Sequence, residues 1–495
     1  MNDVPEERLK ISGQDELWLH MDRPNNLMVI DTVMWFLEIP DWDKVTEIVQ
    51  ERLLDRFPVF SRKMGKIDGD MEWVPDPDFD LARHVRRISL DEPADVSALR
   101  DHIASQRSVA FDKDHPLWTV DLISPIHFPT GDTGAAMFAR FHHAIADGVR
   151  LTQVALGMCD LAEEPNIQKV GGKLRRSTTP GGMAKSAAKT VAGDVGDIAT
   201  SAGGTAKQVA TSPKDTMAKA FGKGVGWVKH PERVVDAARA FSSTDNRTVN
   251  TASSVGKILL APTSVNTVWS GEVGVEKGAG WAEPLDLDEV KLIKNATGTT
   301  VNDVLLCVVA GALARYLAEH GDNSVEELTW MIPLSIKPME AELPRELGNH
   351  FALVVYRMEL GIADHKERLA RAHAQMDRIK NSHEALVTFG TQRGIAEAPP
   401  GLGTWFTNFF ADKAVGVLTN VPGPRQPMTL AGTQVEGVLG WVPGSGNQPL
   451  GICLFSYNGR VNIGFSVDAG LVPDVDRLRE EFAVEWEDMK QAILG

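Results

Sequence analysis

The chain has 495 residues, 43% hydrophobic and 24% charged, a balance that excludes a disordered or fibrous protein and gives length for two or three domains with cores of their own. Its formal net charge of −16 argues against a general nucleic-acid binder, which needs a basic surface. The N-terminal MNDVPEERLKISGQDELW lacks the apolar run of a secretory signal. Cys159, Cys307 and Cys453 show no CxxC and no zinc spacing, so they read as core residues of a reduced, cytoplasmic protein.

In chain order, DKVTEIVQERLLDRFPVF places Val45, Ile48, Val49, Leu53 and Leu54 on one helical face. ADVSALRDHIASQRSVAF and VRLTQVALGMCDLA read as further amphipathic helices. MVIDTVMWFLEI, LWTVDLI and AAMFARFHHA read as strands between them. Mixed strands and helices of this kind predict an α/β or α+β domain over residues 1–164. Residues 165–245 are rich in Gly, Ala, Lys, Ser and Thr and carry 13 Lys/Arg against 6 Asp/Glu, which leaves −23 for the rest of the chain. Large aliphatics are scarce there, so no core can form. Two readings fit: a flexible linker, or weakly amphipathic basic helices that dip Phe221 and Trp227 into an anionic lipid surface. Globular patterning resumes over 246–495. DLDEVKLIKNATG is a capped helix, and VNDVLLCVVAGALARYLAEHG a helix ending at Gly321, whose apolar run at 304–314 is too short for a bilayer and is expected to be buried. LTWMIPLSI and HFALVVYRMEL are strand-like, HKERLARAHAQMDRIKNSHEAL is a charged helix, and PLGICLFSYNG and RVNIGFSVDAG are strands before a last helix, VDRLREEFAVEWEDMKQAI.

Residues 141–148, FHHAIADG, are the candidate proton-transfer centre. Strand alternation sends His142 and His143 to opposite faces, so only one serves a given cleft. The strand is expected to end here, with Asp147 capping the next helix or pairing with an arginine. A second His-x-x-x-Asp, His373 with Asp377, falls at i, i+4 on a charged helix and is expected to be a surface contact. Histidines on opposite strand faces cannot share one metal ion, so no metal is expected. No G-x-S-x-G elbow and no cysteine paired with histidine supplies a nucleophile. A general-base histidine acting on a hydroxyl or amine, or a strand end that merely carries two imidazoles, both fit the eight residues.

The ordered motifs resemble bacterial wax ester synthase/diacylglycerol acyltransferases. HHAIADG matches the HHxxxDG signature, preceded by PLW (Pro116 to Trp118). VNDVLL carries an ND motif in Asn302 and Asp303, PLSIK and ELGNHF resemble two further segments, and TNVPGP (Thr419 to Pro424) resembles Asn-Val-Pro-Gly-Pro. The likeness runs from DELWLHMDRPNNLMVID to the C-terminal helix, omitting the basic segment. Lys337 stands where the family usually has arginine, and WSGEVG only partly matches a Ser-Gly-x-Arg segment. The resemblance implies two chloramphenicol acetyltransferase-like domains, each a mixed sheet flanked by helices, with a tunnel between them. His143 would be the base, His142 its support, and Asp147 the holder of the loop through a structural ion pair. Acyl-CoA is implied as co-substrate with no other cofactor, and a long-chain alcohol or diacylglycerol as acceptor. Candidates for substrate or oxyanion binding are Asn302, Asp303, Trp118, Gly148, Asn420 and Gly423. Asn302 would otherwise be the N-cap of its helix, Trp118 core, and Gly423 a shaper of the tunnel. Peripheral attachment to a membrane or lipid droplet from the cytoplasm, through 165–245, is expected. A non-catalytic lipid-binding member, or a condensation-type acyltransferase with a specialised acceptor, are the alternatives.

Overall fold

The computed structural model describes residues 8–162, 266–335, 343–380 and 411–495. The basic segment at 165–245, with Phe221 and Trp227, and Lys337 lie outside them. The first half runs β1 (Leu9–Lys10), α1 (Gly13–Met21), β2 (Val29–Phe36), α2 (Trp42–Val49), β3 (Arg62–Ile67), β4 (Asp70–Pro75), α3 (Leu81–His84), β5 (Val85–Ile88), α4 (Val96–Arg107), β6 (Trp118–His127), β7 (Thr133–His142), α5 (Gly148–Gly157) and β8 (Asp160–Leu161). The apolar face predicted for α2 continues through a wider turn at Gln50–Leu54, and Val45, Val49, Leu53 and Leu54 are buried.

The second half runs β9 (Lys277–Trp281), β10 (Leu285–Asp286), α6 (Leu287–Thr297), α7 (Val301–Glu319), β11 (Glu327–Ser335), β12 (Phe351–Glu359), α8 (His365–Lys380), β13 (Gly416–Pro422), β14 (Met428–Leu430), β15 (Thr433–Gln434), β16 (Gly437–Trp441), β17 (Leu450–Tyr457), β18 (Arg460–Asp468) and α9 (Val475–Leu494). Helix α7 is 19 residues long and apolar enough by composition to cross a membrane, beyond what the 304–314 run suggests. Yet 72% of its 18-residue apolar window is buried inside the protein, where it packs on α6, α8 and α9. It is the central core helix of this half. The LTNV segment, read only as a motif, is strand β13.

Two mixed sheets organise the molecule. One has the order β16-β2-β7-β6-β5; the other runs β10-β18-β17-β13-β11-β12, with β9 also on β18. These sheets cut across the division of the sequence into 1–164 and 246–495. Strand β16 leaves the second half and pairs antiparallel with β2 of the first, Val438 opposite Met34 and Trp441 opposite Asp31. Its Val438, Leu439 and Trp441 join the first half's core, and each such buried side chain contributes about 2 kcal/mol of apolar burial. Gly437 is required for this docking, since a Cβ there would lie 1.9 Å from the Trp35 ring. Trp35 in turn stacks on Trp281 of β9 at 6.5 Å. Across the same seam, buried Arg107 at the end of α4 donates to Asp31 of β2 at 2.5 Å and to Ser466 of β18 at 2.7 Å.

Candidate active site

His142 closes β7 opposite Val29 of β2, and His143 is the first residue beyond the strand. Both are buried, at 1% and 5% exposure, in different surroundings. The Nδ1 of His142 accepts the Ala144 N–H at 3.1 Å, which leaves its proton on Nε2, 3.8 Å from Asp22 Oδ1. Burial lowers the His142 pKa against the pull of Asp22. Burial would raise that of Asp22, but His142, the Met28 N–H and Lys113 hold it down to about 2. A neutral imidazole thus faces an ionised carboxylate across a gap too wide for a direct hydrogen bond.

Among the described residues, no carboxylate hydrogen-bonds or ion-pairs with His143. Its N–H donates to Met28 O at 2.7 Å, and its carbonyl accepts from Asn349 Nδ2 at 2.8 Å. The ring stacks on Trp18 at 4.1 Å with a 22° tilt and meets Phe351 at 5.5 Å. Burial drives its pKa down to about 4, with His142 adding to the fall and its own carbonyl and Asn349 opposing it. At neutral pH the imidazole is uncharged and able to accept a proton.

Asp147 locks the loop that follows. Its Oδ1 accepts the Arg150 N–H at 3.0 Å as the N-cap of α5, and its Oδ2 accepts the His350 N–H at 2.8 Å. Ala146 bridges to Gly348, whose φ of +67° suits glycine. Of the two readings of Asp147, capping is the one found. Among the described residues, the partners of its carboxylate are backbone N–H groups from both halves of the chain, with no arginine ion pair.

The remaining candidates divide. Asn302 is not the N-cap of α7; Thr300 is, in a capping box where Asp303 Oδ2 accepts the Thr300 N–H at 2.9 Å. Asp303 is fully buried and also accepts from His373 Nδ1 at 2.7 Å. It is a structural carboxylate, which corrects its place among the binding candidates. The His373–Asp377 contact, at 3.6 Å, is thus the outer edge of a clamp on α7 and not a mere surface pair. Asn302 Oδ1 accepts from Asn420 Nδ2 at 2.9 Å, so these two amides orient one another. Trp118 is core: its Nε1 donates to Phe60 O at 2.7 Å, and its ring stacks on His84 at 4.7 Å. Gly423 permits a close approach, because a Cβ there would sit 2.4 Å from Ser456 O. At Gly148 a Cβ would meet only Val442 and Ile30, at 3.8 and 3.9 Å, so packing does not demand glycine. Trp269 of WSGEVG is buried against Tyr316. Burial pushes the Cys159 thiol up to about 12 and raises Cys307 and Cys453; none is a poised nucleophile.

Sequence reasoning missed Asp15, Trp18, Asp22, Asn349 and Phe351 as site residues. The signal was faint: Asp15 and Trp18 are spaced i, i+3 on α1, and Asn349 lies within ELGNHF.

Residues 11–305 match the family model of the wax ester synthase/diacylglycerol acyltransferase catalytic domain, and residues 347–490 that of the WS/DGAT C-terminal domain. The O-acyltransferase WSD of Acinetobacter baylyi is 24% identical, covering 94% of this chain and 93% of its own. Among solved structures, the wax ester synthase/diacylglycerol acyltransferase of Marinobacter aquaeolei VT8 superposes with a TM-score of 0.64 at 18% identity, over 98% of this chain and 99% of that one. The first condensation domain of the CDA synthetase gives 0.55 at 12% identity, over 99% and 96%. At these identities the two structures show the fold alone.

Proposed function

The chain belongs to the wax ester synthase/diacylglycerol acyltransferase family, and from that premise we propose that His143 is the general base of a direct O-acyl transfer. The protein is an O-acyltransferase, and its family implies acyl-CoA as donor with an alcohol or diacylglycerol as acceptor. The observation that supports His143 is its state: a buried, neutral imidazole at a strand end, fixed through backbone and ring, with its pKa near 4. It takes the proton of the acceptor hydroxyl as the oxygen attacks the thioester carbonyl. The tetrahedral intermediate collapses, the C–S bond breaks, and the imidazolium returns that proton to the departing CoA thiolate. No acyl-enzyme is needed. Holding both substrates beside one base supplies the proximity. Asn302, oriented by Asn420, is the proposed donor to the developing oxyanion.

Purified protein with palmitoyl-CoA is offered hexadecanol and diacylglycerol separately, beside His143→Ala. Thiol release by the wild type and its loss in the variant are expected. No release with either acceptor would overturn the reading, and full activity in the variant would overturn the base. The same proposal places the protein in the cytoplasm, attached peripherally to a membrane or lipid droplet through the basic 165–245 stretch. Supporting it are the composition of that stretch and the apolar products of the reaction. Deleting 165–245 should abolish binding to anionic vesicles; unchanged binding would remove the anchor.

A further inference from the structure

We propose that Asp15 and Asn349 form a buried positioning relay for His143, Asn349 holding the carbonyl of the base and Asp15 holding Asn349. The inference rests on His143 being the base and names the groups that aim it.

His143 sits one residue past the end of β7, so ladder bonds no longer fix its carbonyl. The amide of Asn349 supplies what the ladder lacks. Its Nδ2 donates both to His143 O at 2.8 Å and to Asp15 Oδ1 at 2.7 Å. Asn349 is itself brought there by the backbone around it. The Gly348 N–H donates to Ile145 O at 3.2 Å, and the His350 N–H donates to Asp147 Oδ2 at 2.8 Å. The second half of the chain therefore grips the loop after the base at its backbone and then reaches under the base with one side chain.

Asp15 is an unusual anchor. It is buried at 7% exposure and ion-pairs with no cation among the described residues, an arrangement that costs free energy unless hydrogen bonds compensate. Two side chains donate to it, Asn349 and the Ser12 hydroxyl at 2.6 Å. Burial raises its pKa, against those hydrogen bonds and together with the charge of Asp147. One turn on, Trp18 of the same helix stacks on the His143 ring at 4.1 Å. The i, i+3 spacing puts both side chains on one face of α1, so one helix steadies the base twice, by its ring and by its carbonyl. Three side-chain polar atoms of this group are buried without a hydrogen-bond partner among the described residues, His143 Nδ1, Asn349 Oδ1 and Trp18 Nε1. Such atoms are costly to leave unpaired.

The test compares kcat and KM of wild type, His143→Ala, Asn349→Ala, Asp15→Ala and Asp15→Asn, with thermal unfolding alongside. Misplacing a base by about 1 Å costs on the order of a hundredfold. Asn349→Ala and Asp15→Ala are expected to lose roughly ten- to hundredfold in kcat, with both KM values within about threefold of wild type. Asp15→Asn keeps an oxygen to accept from Asn349 and an amide to face Ser12, so it should recover to within about threefold of wild type. Wild-type kcat in both alanine variants, or Asp15→Asn as damaged as Asp15→Ala, overturns the relay while His143→Ala remains inactive. An active His143→Ala overturns the base instead. If Asn349→Ala does not fold, Asn349→Asp replaces the Nδ2 donor at equal volume. Loss of kcat there supports the relay, and wild-type kcat overturns it.

Discussion

Two histidines, one in each half, are followed four residues on by an aspartate, and they differ in what touches them. His373 bonds Asp303 directly at 2.7 Å, with Asp377 on its other nitrogen and a side chain 32% exposed. His143 touches aromatic rings and an amide; its nearby carboxylate, Asp147, is spent on backbone N–H groups. A histidine bound to a carboxylate serves as a clamp. A histidine kept away from one stays neutral and available. The His-x-x-x-Asp spacing is common to both, so spacing alone could not tell them apart.

The sharpest way to break this comparison is to remove each imidazole in turn. His143→Gln should lower kcat by roughly 10²- to 10⁴-fold, while His373→Gln should leave kcat within a few-fold, measured as thiol release at saturating substrate. Equal losses would mean that His373 itself takes part in the chemistry. Next comes the carboxylate of the clamp. Asp303→Ala removes the capping-box partner and the acceptor for His373 inside the core, and should cost about 2–3 kcal/mol in denaturant unfolding. The pH dependence follows. The His143 pKa in the folded protein is about 4, below the ordinary 6.5, so between these values the unfolded chain holds a proton that the folded one lacks. Stability from this group is fully present above pH 6.5, falls as pH drops through the window, and is lost below about 4. Urea midpoints across that range should decline in wild type and decline less in His143→Gln. The acid limb of kcat/KM should likewise lie well below 6.5. The smallest effect is expected at the cap, where Thr300→Ala should cost about 1 kcal/mol with kcat unchanged.

Much of the fold was legible because its long elements follow one period. Helices α2, α4, α6, α7 and α9 show their apolar faces, and β2, β6, β7, β17 and β18 their runs of β-formers. What stayed hidden was set by partners distant in sequence. Strand β16 is five residues with two glycines, GVLGW, and nothing local says that its partner lies four hundred residues upstream. Thr300 followed three residues later by Asp303 is a capping-box pattern, yet the neighbouring Asn302 drew the role because it sits in a family-like motif. Strand parity and the ordered motifs single out His143 as a candidate, and the structure buries it just past the end of β7. Its neighbours were not legible, since Asp15, Trp18 and Asn349 meet it only after β2, α1 and the 348–350 segment converge. A side chain's chemistry can be read from its letter, but its neighbours come from the fold.

The strand that β16 lends to the first half also governs how the protein can be cut. A fragment ending near residue 164 would present β2 as an open edge, with unpaired N–H and C=O groups beside the ring of Trp35. Such an edge recruits whatever strand arrives, including another copy of itself. The fragment alone is then an aggregating species, and supplying residues 246–495 in trans should convert it to a soluble complex. Mechanically the two halves are a lock and its key, and neither is a module that could be traded away.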